Sequence, residues 1–110
     1  DYIRRFHDLG PQVVVFTLGR EGSLLSEGGR LIGRLPSRKI EVVDATGAGD
    51  AFWSGFLAAL LDGSSFPTSL LFAREVVEIK LKTMGPLPDR LSRSEIYSRL
   101  GNIDQEFIPA

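Results

Sequence analysis

The sequence predicts an α/β domain built on a mostly parallel sheet, and three observations carry that reading. Val13-Val14-Val15-Phe16-Thr17-Leu18 is a continuous β-branched and aromatic run without polar alternation, which marks a strand covered on both faces. Further on, Phe52, Trp53, Phe56, Leu57, Leu60 and Leu61 recur at three- and four-residue intervals, the period of a helix with a wide buried face. Between them, Asp44-Ala45-Thr46-Gly47-Ala48-Gly49-Asp50 is a glycine-rich turn leading into that helix.

Taken in order, Asp1 to Leu9 spaces Ile3, Phe6 and Leu9 by three, as in the tail of an amphipathic helix, and Gly10-Pro11 stops it. The strand from Val13 follows and ends in Gly19-Arg20-Glu21-Gly22. Ser23 to Ser26 and Arg30 to Leu35 flank Glu27-Gly28-Gly29 and read as a hairpin. Lys39 to Val43 reads as a short strand before the glycine-rich turn. The helix from Gly49 to Leu61 ends at Asp62-Gly63-Ser64-Ser65. A second helix is predicted from about Thr68 to Lys82, ahead of Gly85-Pro86, and a short third one from Ser94 to Leu100. Residues 101–110 show no periodicity and read as a tail.

Composition narrows the function. A chain of 110 residues, 43% hydrophobic and 25% charged, fits one globular domain. Such a domain buries roughly two thirds of its unfolded surface, enough for one core but not for an enclosed two-lobed site. Thirteen basic against fourteen acidic residues give a net charge of −1, so no long-range field draws nucleic acid or anionic membrane. With no cysteine and one histidine, disulfides, thiolate zinc sites and His-rich metal clusters are excluded, and a reducing, cytoplasmic setting is expected. The apolar run from Ala51 to Leu61 is interrupted by Ser54 and Gly55 and falls short of the roughly 20 residues of a membrane helix. No secretory leader pattern opens the chain and residue 1 is Asp, so a piece of a longer protein is expected.

The chemistry centres on the glycine-rich turn. Backbone N–H groups of Ala48, Gly49 and Asp50 are first-turn donors, and small residues let an anion approach them. Taken alone, such a turn is more often a plain tight turn. The dinucleotide fingerprint requires a third glycine where Phe52 stands, and the Walker A loop requires Gly-Lys-Ser/Thr, so neither fits. Asp50 is either a helix cap or a general base that accepts a proton from an attacking hydroxyl. Asp44 is either a capping carboxylate or a cation ligand. His7 reads as a solvated side chain on a surface helix, and Trp53 and Phe56 as core. Arg20 and Glu21 are either contacts to a phosphate or ribose or simply exposed loop charges.

Asp44-Ala45-Thr46-Gly47-Ala48-Gly49-Asp50-Ala51-Phe52 resembles the C-terminal signature of the ribokinase-like, or PfkB-type, carbohydrate kinases, Asp-Thr-Thr-Gly-Ala-Gly-Asp-Ala-Phe. It continues through Trp53-Ser54-Gly55-Phe56 with the small pair where the family keeps small residues. Upstream, Thr17-Leu18-Gly19-Arg20-Glu21-Gly22 is similar to the family's Thr-Leu-Gly-x-x-Gly strand end, in the right order and at the right distance. The likeness extends through Phe72-Ala73 to Gly85.

The resemblance implies the C-terminal portion of a three-layer α/β/α fold. Residues 1–100 would be a nucleotide-binding and catalytic-base segment, an incomplete domain, and residues 101–110 a tail. It implies an ATP-dependent transfer of the γ-phosphate to a hydroxyl of a sugar, polyol or nucleoside, with Mg2+. Asp50 would be the base, and Gly47, Ala48 and Gly49 the anion hole for the moving phosphate. Thr17, Gly19, Gly22, Gly49 and Arg74 would face the nucleotide. A monovalent cation such as K+ would take the Asp44 carboxylate and the carbonyls of Thr46, Lys80, Thr83 and Gly85. The chain departs from the pattern at Ala45, which lacks the usual hydroxyl, and at Arg74-Glu75-Val76-Val77-Glu78, where relatives carry Asn and small alanines beside the adenine. The charges at 74, 75 and 78 also suit one solvated helix face. The family's sugar-binding residues, lid and magnesium-organising motif lie upstream of this segment. An uncovered sheet edge would then pair with that missing N-terminal part, or with a second copy as a homo-oligomer. The alternative function is a non-catalytic nucleotide-binding or regulatory module derived from such a kinase.

Overall fold

The structure, a computed structural model, describes residues 2–87, 92–100 and 106–110. The chain forms two compact units, Asp1–Ser37 with Asp104–Ala110, and Arg38–Ile103. Among the described residues no helix is long and apolar enough to cross a membrane.

In the first unit, helix α1 (Tyr2–Asp8) precedes strands β1 (Val13–Thr17), β2 (Ser23–Glu27) and β3 (Arg30–Leu35), and β4 (Ile108–Pro109) closes the sheet in the order β1-β2-β3-β4. All three described pairings are antiparallel, where a mostly parallel sheet was the expectation. The cause is connection length. Gly28-Gly29 turns the chain straight back and the Leu18–Gly22 connection is also short, whereas parallel neighbours need a crossover of about a dozen residues or more. Nor is β1 covered on both faces within this unit, since Val13 to Phe16 are half-buried. The core is Leu25, Leu35 and Phe107, with Ser23 and Ser26 buried beside them.

Two expectations are corrected here. His7 is not a solvated side chain: its Nδ1 donates to the Pro11 carbonyl at 2.9 Å and its Nε2 lies 2.7 Å from the buried Ser26 Oγ. Together with the Phe6–Phe16 edge contact, centroids 5.2 Å apart, this fastens α1 to the sheet. The tail is not without structure, because Ile108 pairs with Arg34, Pro109 with Gly33, and Ala110 N–H bonds the Ile32 carbonyl at 2.9 Å. Residues 101–105 of that tail lie outside the described residues.

The second unit is helical: α2 (Ala48–Leu61), α3 (Phe66–Lys82) and α4 (Arg93–Arg99). The short strand expected at Lys39 to Val43 is absent. Val43 and Asp44 N–H groups both donate to the Leu81 carbonyl, at 2.7 and 3.1 Å, so this segment is tied to the end of α3 rather than to a sheet. Ser65 caps α3 by accepting from Thr68 N–H at 3.2 Å, with Pro67 placed where its missing donor does no harm.

Helices α2 and α3 pack closely because Gly55 has no side chain. A Cβ there would stand 3.0 Å from Val76 Cγ2 and 3.1 Å from Ala73 Cα. Ala51, Ala59, Phe72, Val76 and Ile96 form the core. The buried face of α2 is narrower than its sequence implies. Phe52 and Phe56 are buried, but Trp53 is 44% exposed and Leu57 and Leu61 more so, which corrects the reading of Trp53 as core. At the far end Asp62 docks α4, accepting from Arg93 Nη1 at 2.7 Å and from the Tyr97 hydroxyl at 3.1 Å, while the Tyr97 ring packs on Phe72.

Candidate functional site: the N-terminus of α2

Gly47 makes the N-cap of α2 with φ +81°, a left-handed conformation open to glycine at little cost, and no side chain caps this end. The turn before it is organised by Asp44. Its Oδ1 accepts from Thr46 N–H at 3.0 Å and its Oδ2 from Gly85 N–H at 3.0 Å. Of the three proposed anion-hole donors, Ala48 N–H is already turned toward the Ala45 carbonyl at 3.3 Å. Ala51 N–H closes the first helical turn on Gly47 O at 2.9 Å. Helix geometry leaves the Gly49 and Asp50 N–H groups without an intrahelical acceptor.

An open cleft of about 490 Å³ lies at this end of the helix. It is lined by Asp44, Thr46, Gly47, Asp50, Ala51 and Ser54 from the turn and the start of α2, and by Lys80, Gly85, Pro86 and Leu87 from the end of α3 and the segment after it. Asp50 is the third residue of α2 and exposed. Lys80, near the end of α3, is 4% exposed, and its Nζ is buried without a hydrogen-bond partner, 3.6 Å from Asp44 Oδ2. The Thr46 and Gly85 backbone N–H groups hold the Asp44 carboxyl down to about 2, well below an ordinary aspartate; the Thr46 hydroxyl and the Lys80 charge add to this in smaller measure.

Of the residues singled out in the sequence, Asp44, Thr46, Gly47, Asp50, Lys80 and Gly85 meet at the cleft, whereas Ala48, Gly49 and Thr83 are not among its lining. Thr83 instead ends α3, its hydroxyl donating to Ile79 O at 2.6 Å and its N–H to Lys80 O at 3.1 Å. Thr17, Gly19 and Gly22 belong to the first unit. Thr17 ends β1, Gly19 opens a 3₁₀ turn, and Gly22 has φ +99° with no room for a Cβ, which would collide with the Leu35 carbonyl.

Arg74 lies half-buried on α3. Its neighbours Glu75 and Glu78 do not form the solvated face expected of them. Both are buried and both are held by Arg38, whose Nη2 donates to Glu75 Oε2 and Glu78 Oε1 at 2.8 Å and whose Nε donates to Glu78 Oε2 at 2.8 Å. What the sequence reading missed is the Lys80 side chain, considered only for its carbonyl. The signal was present: Phe72, Val76 and Lys80 share one four-residue stripe, so the lysine continues an apolar face.

Residues 1–90 match the family described as pfkB family carbohydrate kinase. The chain belongs to the pfkB family of carbohydrate kinases. It is 42% identical over 87 residues to an ATP-dependent 6-phosphofructokinase of Thermoanaerobacterium thermosaccharolyticum, covering 79% of this chain and 27% of that protein. It is 38% identical over 84 residues to a nucleoside kinase of Methanothermobacter thermautotrophicus, covering 76% and 26%. The structure of Arabidopsis thaliana ribokinase complexed with ribose and ATP superposes with a TM-score of 0.75 at 32% identity, over 87% of this chain and 31% of that one. The fold is therefore ribokinase-like α/β, and the chain spans about a quarter of the length of the curated relatives it matches.

The pfkB resemblance implies two metal ions, and the residues present can be tested against each. For Mg2+, no three His, Cys, Asp or Glu side chains converge among the described residues, so none is assigned to it. For a monovalent cation the donor set does not fit. An ammonium group already stands 3.6 Å from Asp44 Oδ2, the carboxylate oxygen such an ion would take. A second cation at that carboxylate would be repelled by the first.

Proposed function

We propose that the protein carrying this chain is an ATP-dependent phosphotransferase acting on a hydroxyl of a sugar, polyol or nucleoside, and that these residues supply its base and its anion hole. The observation that carries this reading is the cleft at the start of α2, which Asp50, in the helix's first turn, and the buried Lys80 both line. Asp50 takes the acceptor's proton as the hydroxyl oxygen bonds the γ-phosphorus and the bond to ADP breaks. Gly49 and Asp50 N–H groups, aided by the helix dipole, meet the charge on the phosphoryl oxygens. The left-handed Gly47 lets the chain enter the helix with those donors aimed outward. Thr17, Gly19, Gly22 and Arg74 are assigned to the nucleotide by the family pattern. The acceptor's own binding residues and the Mg2+ ligands belong, in this reading, to the rest of the protein, with residues 1–100 as its nucleotide and base segment.

The test is Asp50→Asn in the complete protein, assayed by ADP release against ketoses, pentoses, polyols and nucleosides. The amide keeps the size of the side chain but accepts no proton. We expect kcat to fall by about 10² or more while ATP binding persists. Turnover within about threefold of the unmodified protein would remove Asp50 from the role of base. ATP binding without turnover on any acceptor, in the unmodified protein, would favour a nucleotide-binding module instead.

A further inference from the structure

Resting on the reading of this cleft as a phosphoryl-transfer site, we propose that the Lys80 ammonium is the site's fixed cation. It takes the place of the exchangeable monovalent ion beside Asp44, so that nucleotide binding here requires no added K+.

The first support is the state of Lys80 itself. An ammonium carries three donors and is among the groups least often buried. Here it is 4% exposed with Nζ bonded to nothing, while the carboxylate 3.6 Å away lies beyond hydrogen-bond range. A structural ion pair at this depth closes its hydrogen bonds, because unmet donors in a low-dielectric setting are costly. An ammonium left without acceptors on a residue that lines a cleft points to a ligand that meets it.

The second support is Asp44. Its oxygens are each pinned by a backbone N–H, at 3.0 Å, so the orientation of the carboxylate is fixed. It presents its charge in one direction, and Lys80 is what it faces.

The third is the position of the lysine stem. A Cβ on Gly47 would stand 3.6 Å from Lys80 Cε, so the stem passes against the left-handed residue that starts α2. The ammonium therefore adds a full positive charge at the end of the helix where the backbone dipole is already positive. An anion such as a transferring phosphoryl group gains from both, and a hydrated metal cation is opposed by both. A cation tethered to the chain is always present, whereas a diffusible one must be bound anew at each ionic composition.

The experiment compares the complete protein with Lys80→Ala in choline, sodium and potassium chloride at equal ionic strength. It reads the dissociation constant of MgATP and the midpoint of thermal unfolding without nucleotide. In the unmodified protein we expect ATP affinity to vary by less than about twofold among the salts, with no potassium-specific rise in the midpoint. Lys80→Ala, which empties the space beside Asp44, should bind ATP about tenfold more weakly in choline, recover in potassium, and acquire a potassium-specific rise in midpoint. A tenfold potassium effect on the unmodified protein, an unchanged affinity in Lys80→Ala, or a loss that potassium does not restore would each overturn the proposal. If Lys80→Ala does not fold, the salt series on the unmodified protein decides alone. If no ATP binds in any salt, the kinase reading fails, and the unfolding midpoints still decide whether Lys80 fills a cation's place.

Discussion

Two clusters of opposite charge sit on α3 within a few residues of each other, and they are built differently. At Glu75 and Glu78 the Arg38 guanidinium spreads three hydrogen bonds of 2.8 Å over two buried carboxylates. At Lys80 a buried ammonium approaches Asp44 at 3.6 Å and bonds to nothing. The first cluster leaves neither carboxylate unanswered and ties the segment before the glycine-rich turn to the helix. The second leaves a buried ammonium without acceptors on a residue that lines the cleft. Charge on a helix is thus a poor guide to role until the hydrogen bonds are followed to their ends. A closed set holds the fold, and an open one at a cleft is where a ligand fits.

The largest effect on stability should come from breaking the closed cluster. Arg38→Met leaves Glu75 and Glu78 buried without their cation, and we expect a loss of about 3 kcal/mol in urea unfolding. That figure is the low end for a buried pair, because the Arg38 side chain is 38% exposed and water reaches part of it. Adding Glu75→Gln and Glu78→Gln to Arg38→Met should return about 1–2 kcal/mol, since the uncompensated charges are then gone. A loss below about 0.5 kcal/mol for Arg38→Met would show the clamp to be decorative.

This clamp also marks where the sequence stops being legible. Charges at 74, 75 and 78 fall on one helical face, and nothing local distinguishes a solvated face from one neutralised by an arginine 37 residues away. Local geometry was readable: Gly28-Gly29 announces its hairpin, and Thr46-Gly47-Ala48-Gly49 the turn into α2. Pairing was not. Ile108-Pro109 is too short to show periodicity and becomes a strand only because β3 offers an edge, while Lys39 to Val43 has strand-like residues but is tied through Val43 N–H to the Leu81 carbonyl. At the cleft, Asp44, Gly47 and Asp50 were legible from the motif. For the Lys80 side chain the sequence offers only its place on the Phe72 and Val76 stripe, and a lysine closing such a stripe is ordinarily taken for the solvated end of a helix.

Lys80→Met sharpens the comparison by making the same kind of change at the open cluster. Methionine keeps the stem's packing and removes the charge, and Asp44 retains both backbone hydrogen bonds. We expect the stability to stay within about 1 kcal/mol of the unmodified protein, in either direction, because an ammonium without hydrogen bonds recovers little of its desolvation cost. A loss as large as that of Arg38→Met would mean that Lys80 is structural and would erase the distinction between the clusters.

The smallest effect is expected in acid, where Asp44 itself titrates. Its folded carboxyl is held at about 2, against an ordinary value of 3.8, chiefly by the Thr46 and Gly85 N–H groups. A depressed value means that the folded state binds its proton later than the unfolded state does. The stabilisation is therefore complete above 3.8 and is lost as the pH falls from there through about 2. Asp44→Asn has no such titration, and its single amide oxygen cannot accept both N–H groups in the way the two carboxylate oxygens do. Its stability should thus lie below that of the unmodified protein near neutrality, with the gap narrowing as the pH drops through that window. Subtracting the two urea-unfolding curves cancels the carboxylates common to both proteins and isolates this one. A gap that stays constant from neutrality to about 2 would show that Asp44 is not anchored by these two backbone groups, and the pinned carboxylate facing Lys80 would lose its basis.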